Sequence, residues 1–244
     1  MGNQQLYDLS SNESQLLLSL YLGDGHYQKY GLSSEYHCIT SSINEDLLIF
    51  KKSLCTNLIN SNIKLFNNPG YNKKSVIYRW NINSNAHITY IYNLSLEEKI
   101  NNLDELGLAL WFLDDGSLHK VKNFYNLCTH SFSLEDNILI KDKLNFKFGT
   151  DFRITSELKK DGRKFYYLSI RKIGGANIIS DILSKYPIES MKYKLWSSET
   201  IHEWSTLQEK WKSQDSNLIN FEKFAKSFYL RMGHSKNKKI KLIG

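Results

Sequence analysis

Two apolar runs, LLLSLYL (Leu16–Leu22) and LGLALWFL (Leu106–Leu113), each end within three residues in an Asp-Gly pair. The aspartates, Asp24 and Asp115, lie 91 positions apart (115 − 24). A helix of such composition has no polar face and must be buried on every side. A carboxylate just past it sits where the chain leaves the core. An Asp-Gly after a helix is ordinarily a turn. Here it recurs, and each copy precedes the same traffic: two short strand-like segments, an amphipathic helix, two more strands and another helix. The chain therefore reads as an internal repeat, and 244 residues suffice for two such copies with a substantial core.

In the first copy, strands are expected near Tyr27–Tyr30 and Glu35–Thr40. A helix is expected over Glu45–Asn60, with Leu47, Leu48, Leu54 and Leu58 on its apolar side. Ser75–Asn83 alternates, with Val76, Tyr78, Trp80 and Ile82 facing one way and Ile77, Arg79, Asn81 and Asn83 the other. In the second copy, strands fall near Ser117–Val121 and Tyr125–His130. Ser133 and Asp136 fit a capping pattern for a helix running to about Phe146. The stretch FRITSELKKDGRKFYYLSIR reads as a hairpin with Asp161-Gly162 as a two-residue turn. Phe152, Ile154 and Leu158 are assigned to its inner side. Gly174-Gly175 reads as a strand-to-helix turn. Ser197–Trp211 and Leu218–Met232 read as two further helices, followed by a basic tail. The expected division is residues 1–100, 101–195 and a helical extension at 196–244.

Two such apolar helices packed side by side would bring Asp24 and Asp115 together. Ser19 and Gly23, four apart, leave room for a neighbour, and Gly25 and Gly116 allow a sharp exit. Neighbouring carboxylates repel unless a proton or cation lies between them. Hard oxygen ligands suit Mg²⁺, and paired metals can clamp the attacking and leaving oxygens of a phosphodiester. Lys and Arg number 32 against 25 Asp and Glu, a formal charge of +7, which suits a polyanionic partner. No apolar run is long enough to span a bilayer, and the opening MGNQQLYDLSSN lacks the layout of a secretory signal. Three scattered cysteines fit neither a disulfide scaffold nor a zinc site. Abundant Asn, Ile, Lys and Tyr, all with A/T-rich codons, point to an A/T-biased, organellar gene.

The motifs LLSLYLGDG (Leu17–Gly25) and LALWFLDDG (Leu108–Gly116) resemble those of the LAGLIDADG homing endonucleases, single-chain type. THSFSLED (Thr129–Asp136) and MKYK (Met191–Lys194) are similar to family segments downstream. The resemblance covers about residues 13–195. It implies an α+β fold: a tandem αββαββα repeat with pseudo-twofold symmetry, two saddle-shaped antiparallel sheets and a central pair of motif helices. The C-terminal helices lie outside this core fold. It also implies Asp24 and Asp115 as catalytic metal ligands, the Gly23 and Asp114 carbonyls as further ligands, and Lys194 as an active-site lysine. In the first half, Lys99 is the candidate counterpart, within a stretch that lacks the family's usual Lys-Ile-Pro flavour.

The implied partner is double-stranded DNA with a long target site, cut by a monomer with Mg²⁺ or Mn²⁺, and no membrane is involved. Arg79, Asn81, Asn83, Arg153, Thr155, Lys159, Arg163 and Arg171 would face the major groove, where Arg and Asn read base edges. Lys73 and Lys74 would meet phosphate. The alternatives are an intron-RNA maturase and a nicking or binding-only relative. A mitochondrial setting follows from the composition and the family together.

Overall fold

Residues 7–68, 75–119 and 124–195 are described by the computed structural model. The calls on Lys73, Lys74 and residues 196–244 lie outside them. The first copy comprises α1 (Asn12–Leu22), β1 (His26–Lys29), β2 (Tyr36–Ser42), α2 (Glu45–Ser53), β3 (Lys64–Asn68), β4 (Ser75–Ile82) and α3 (Ala86–Asn93). A linking helix, α4 (Leu96–Asn102), leads to the second copy: α5 (Glu105–Asp115), β5 (Gly116–His119), β6 (Phe124–Leu127), α6 (Leu134–Phe148), β7 (Arg153–Leu158), β8 (Lys164–Ile170) and α7 (Ile173–Ser184). A 3₁₀ turn follows at Glu189–Lys194. The αββαββα order is thus present twice. Each copy closes a four-stranded antiparallel sheet, ordered β1-β2-β4-β3 and β5-β6-β8-β7. The fold is α+β, as the motifs imply.

Helices α1 and α5 lie at the centre. Every residue from Glu13 to Leu20 and from Leu106 to Leu113 is buried. Both starts are capped: Ser14 N–H donates to Ser11 Oγ at 3.3 Å, and Gly107 N–H to Asp104 Oδ1 at 2.9 Å. A buried amide ties the two starts together. Gln15 Nε2 donates to the carbonyls of Leu9 (2.6 Å) and Asn102 (2.8 Å), and its Oε1 accepts from Asp104 N–H at 2.7 Å. Gly107 makes room for it, since a Cβ there would lie 2.5 Å from Gln15 Oε1.

Three local expectations need correction. Helix α2 stops at Ser53 rather than continuing to Asn60. The Glu13 carboxylate accepts from the N–H groups of Asn57 (2.5 Å) and Leu58 (3.0 Å), so these donors serve the start of α1 instead of a longer helix. Leu58 still enters the core, from a loop. The hairpin turn is shifted by one residue. Gly162 N–H donates to the Lys159 carbonyl at 3.0 Å, which puts Lys160 and Asp161 at the centre, and Gly162 follows with φ +83°. Leu158 is 71% exposed at the end of β7 and leaves the core to Phe152 and Ile154. By contrast, the cap of α6 stands as expected, with Ser133 and Asp136 bonding reciprocally.

Gly107→Ala should destabilise the protein by about 1–3 kcal/mol through overpacking against Gln15. Gly174→Ala, where a Cβ meets nothing within 4 Å, should be neutral or stabilising by up to about 1 kcal/mol. Urea denaturation of both variants checks the contrast.

Candidate active site

Helices α1 and α5 run side by side, and both motifs leave them at the same end. A Cβ on Gly23 would lie 3.1 Å from Asp115 Oδ2 and 3.3 Å from Asp114 Cβ, so the two exits touch. The glycines after the aspartates serve contact rather than conformation. Neither Gly25 nor Gly116 has a positive φ. A side chain on Gly25 would collide with the Leu20 carbonyl, and one on Gly116 with Phe112. The sharp-turn role expected for them is therefore replaced by a need for bare backbone.

Asp24 is solvent-accessible and Asp115 is half-buried. Burial pushes the Asp115 carboxyl up to about 7, helped by the negative charges of Asp24 and Asp114. Asp24 is also raised, first because enough protein surrounds its carboxyl to strip water from it, then by Asp114. Two carboxyls that resist ionisation beside each other are a hard-oxygen donor set without its counter-charge. Among the described residues no cluster of three or more His, Cys, Asp or Glu forms a metal cage. The donors are thus two carboxylates with neighbouring carbonyls, a set that fits a hydrated divalent cation of the Mg²⁺ class.

Lys194 reaches this point from the 3₁₀ turn. Its Nζ donates to the carbonyls of Phe112 (3.1 Å), Leu113 (2.6 Å) and Asp114 (3.2 Å), capping the end of α5. Burial lowers its pKa to about 8, against the opposite pull of Asp114, Asp115 and Asp24. The Asp114 carbonyl, expected as a metal ligand, thus already accepts from an ammonium and keeps one lone pair.

Lys99 is not the counterpart of Lys194 in this arrangement. Its Nζ donates to the carbonyls of Tyr92 (3.0 Å) and Leu94 and lies 3.9 Å from the centre of the Tyr21 ring. The cation that the first half delivers to the motif ends is Lys51, on the last turn of α2. Its Nζ pairs with Asp114 Oδ1 at 2.5 Å, and both side chains are 1% exposed. Lys51 went unnoticed in the sequence, although it shares the inward stripe of Leu47 and Leu48 at helical spacing. Asp46, also on α2, accepts from Ser190 N–H (2.9 Å) and Oγ (2.5 Å), tying the helix to the turn that carries Lys194. A cleft of about 320 Å³ opens here, lined by Asp24, Ser41, Asn44, Asp114, Tyr193 and Lys194 among others.

The other candidates lie on the strands or in the turns beside them, with Asn83 and Arg171 just past the ends of β4 and β8. In the first sheet, Trp80 and Ile82 are fully buried while Arg79 and Asn83 are exposed and Asn81 is half-buried. Arg79 sits 4.7 Å over the Phe66 ring. In the second, Arg153 and Arg171 are exposed, and Thr155 Oγ1 shares a 2.8 Å hydrogen bond with Ser169 Oγ. Lys159 and Arg163 are exposed and pair with Glu157 and Asp161. His26 opens β1 and bonds Gln28. Gly174 and Gly175, expected as a strand-to-helix turn, instead lie inside the first turn of α7, where a Cβ on Gly175 would collide with Asp151.

A twofold-repeated α+β fold with paired carboxylates at its centre defines a recognisable class. The LAGLIDADG DNA endonuclease family model matches residues 15–178, and the chain belongs to that family. The probable intron-encoded DNA endonuclease 3 of Mycosarcoma maydis is 34% identical over 96 residues, 39% of this chain and 66% of that one. The cytochrome b mRNA maturase bI2 of Saccharomyces cerevisiae is 28% identical over 222 residues, 79% of this chain and 49% of that one. The chain thus spans less than two thirds of either relative. The solved homing endonuclease I-WcaI, bound to its DNA recognition sequence, shares the fold with a TM-score of 0.66 at 20% identity, over 79% of this chain and 89% of that one. Among the described residues, no helix is long and apolar enough to cross a membrane.

An aspartate in an unfolded chain titrates near ~4, whereas folded Asp115 holds its proton up to about 7. Across that window the native state binds the extra proton, so stability of the metal-free protein falls as pH rises. Asp115→Asn removes this titration. In EDTA, the Tm of the variant minus that of the parent should widen from about pH 5 to about pH 8. A difference that stays constant in thermal melts would reject the raised pKa.

Proposed function

We propose that this protein is a monomeric, sequence-specific endonuclease for double-stranded DNA that hydrolyses phosphodiesters with a divalent cation. One observation carries the reading: two helices with buried middles lead to Asp24 and Asp115 at adjoining ends, with the ammonium of Lys194 beside them. A scaffold that only bound DNA would have no use for two mutually destabilised carboxyls there. The outward sheet faces supply the binding surface, with Arg79, Asn81, Asn83, Arg153, Thr155 and Arg171 in the groove. Lys159 and Arg163 can exchange their exposed carboxylate partners for phosphates, since such surface pairs contribute little.

Asp24 and Asp115, with the Gly23 and Asp114 carbonyls, would hold Mg²⁺ or Mn²⁺, whose chemistry is to offset charge building on the scissile phosphate. Lys194 fixes the end of α5, so Asp115 keeps its position against Asp24. With a pKa near 8, its ammonium also stands close to releasing or taking a proton at mildly alkaline pH. The names of the relatives favour an intron-encoded origin, and the composition favours a mitochondrial one.

The test is incubation of the full chain with Mg²⁺ and a randomised duplex library, followed by sequencing of the cut ends. An enriched break is expected. Second-sphere changes at metal sites cost roughly 10–100-fold, so Asp24→Asn and Asp115→Asn should each cost at least about 100-fold in kcat while retaining DNA binding. Unchanged cutting by both variants would refute the assignment. DNA affinity should fall steeply as salt rises from about 50 to about 200 mM. The likeness to the yeast maturase keeps one rival: no enriched break, together with accelerated splicing of an intron RNA, would select it.

A further inference from the structure

Lys51 is a buried ammonium that the proposed chemistry does not use. It belongs to the first half, yet its partner is the first aspartate of the second motif. The pairing is well fixed. Asp46 and Ser190 lock α2 to the 3₁₀ turn, and both ends of the ion pair are 1% exposed. The other Asp114 oxygen, Oδ2, is buried and has no hydrogen-bond partner among the described residues. Asp114 Cβ would touch a Cβ on Gly23 at 3.3 Å, so this carboxylate stands next to both motif ends. Released, it would be a third carboxylate beside Asp24 and Asp115.

We propose that Lys51 is a positioning residue: by holding Asp114 aside, it leaves Asp24 and Asp115 as the carboxylates that face the cation and the phosphate. This rests on the endonuclease reading. The physical reason lies in how a small divalent cation works in such sites. It keeps several waters and takes one or two protein carboxylates plus phosphate. A third carboxylate would bind it more tightly and occupy a place that water or phosphate needs. Lys51 sets that number from the opposite half. Since leaving either partner buried and unpaired is strongly unfavourable, each half also fixes the other's charge.

The sign of the effect separates this role from a merely structural one. Ca²⁺ is titrated calorimetrically into the full-length protein, and kcat and KM are measured with Mg²⁺ on the duplex selected above. Lys51→Met should tighten Ca²⁺ binding at least about threefold and lower kcat at least about tenfold, with KM within about twofold. Asp114→Asn should weaken Ca²⁺ binding at least about threefold, because the freed ammonium then faces the same carboxylates. Affinities that move in the same direction, or variants that lose only Tm, would overturn the proposal. If Lys51→Met does not fold, Asp114→Asn and the double variant Lys51→Met/Asp114→Asn carry the test. The double variant should bind Ca²⁺ within about twofold of the parent, and a larger departure overturns the idea. A parent that neither binds Ca²⁺ nor cuts defeats the endonuclease reading itself. A parent that does both, with unresponsive variants, defeats only the role of Lys51.

Discussion

The contact between α1 and α5 is the constraint on which the rest depends. Both helices are buried through their middle turns, so neither can shift without opening the core. They run with the same ends together, which points two negative helix termini at one place. Three carboxylates stand there as well: Asp24, Asp114 and Asp115. Helix dipoles and side chains therefore add, and the site is electrostatically unfavourable when left alone. Lys194 answers the helix terminus by capping three carbonyls of α5. Lys51 answers Asp114. Among the described residues Asp24 and Asp115 have no ion-pair partner, and burial first, then the neighbouring negative charges, raises their pKa values. A site with surplus negative charge, half open to solvent, is poised for a cation.

Much of this was legible in the sequence because it is local. The apolar runs, the capping pair Ser133 and Asp136, and the alternation of Ser75–Asn83 each depend on spacing within one element. The repeat was legible because both copies keep the same order of elements. What could not be read depends on partners far along the chain. Helix α2 ends early because Glu13 claims the donors of Asn57 and Leu58. Lys51 meets an aspartate 63 positions away across the two halves. Lys99, the first-half candidate near the second motif, is drawn instead to the carbonyls of Tyr92 and Leu94. The roles of Gly25 and Gly116 were misread for a similar reason: the crowding comes from neighbouring backbone and side chains rather than from φ.

The two halves share a topology but not a chemistry. Lys194 caps a motif helix, whereas Lys99 does not. Gln15 of α1 reaches across to the start of α5, where Gly107 leaves it space. These differences follow from covalent linkage. Two identical copies in a symmetric dimer would have to make every cross-contact twice. In a single chain each half can specialise, so one can supply a cation to the other's carboxylate.

That specialisation is confined to the centre, and the sheet faces obey a different logic. Most of their outward residues are exposed, and ion pairs such as Lys159–Glu157 and Arg163–Asp161 contribute little to stability. On the endonuclease reading, substitutions there leave the core untouched and can change which DNA sequence is read. At the centre, a change in one of Gly23, Asp114 or Lys51 alters the surroundings of the other two. On the endonuclease reading, contacts along the faces can change while the central set stays fixed, because the former are mostly exposed side chains and the latter are held by buried hydrogen bonds and an ion pair.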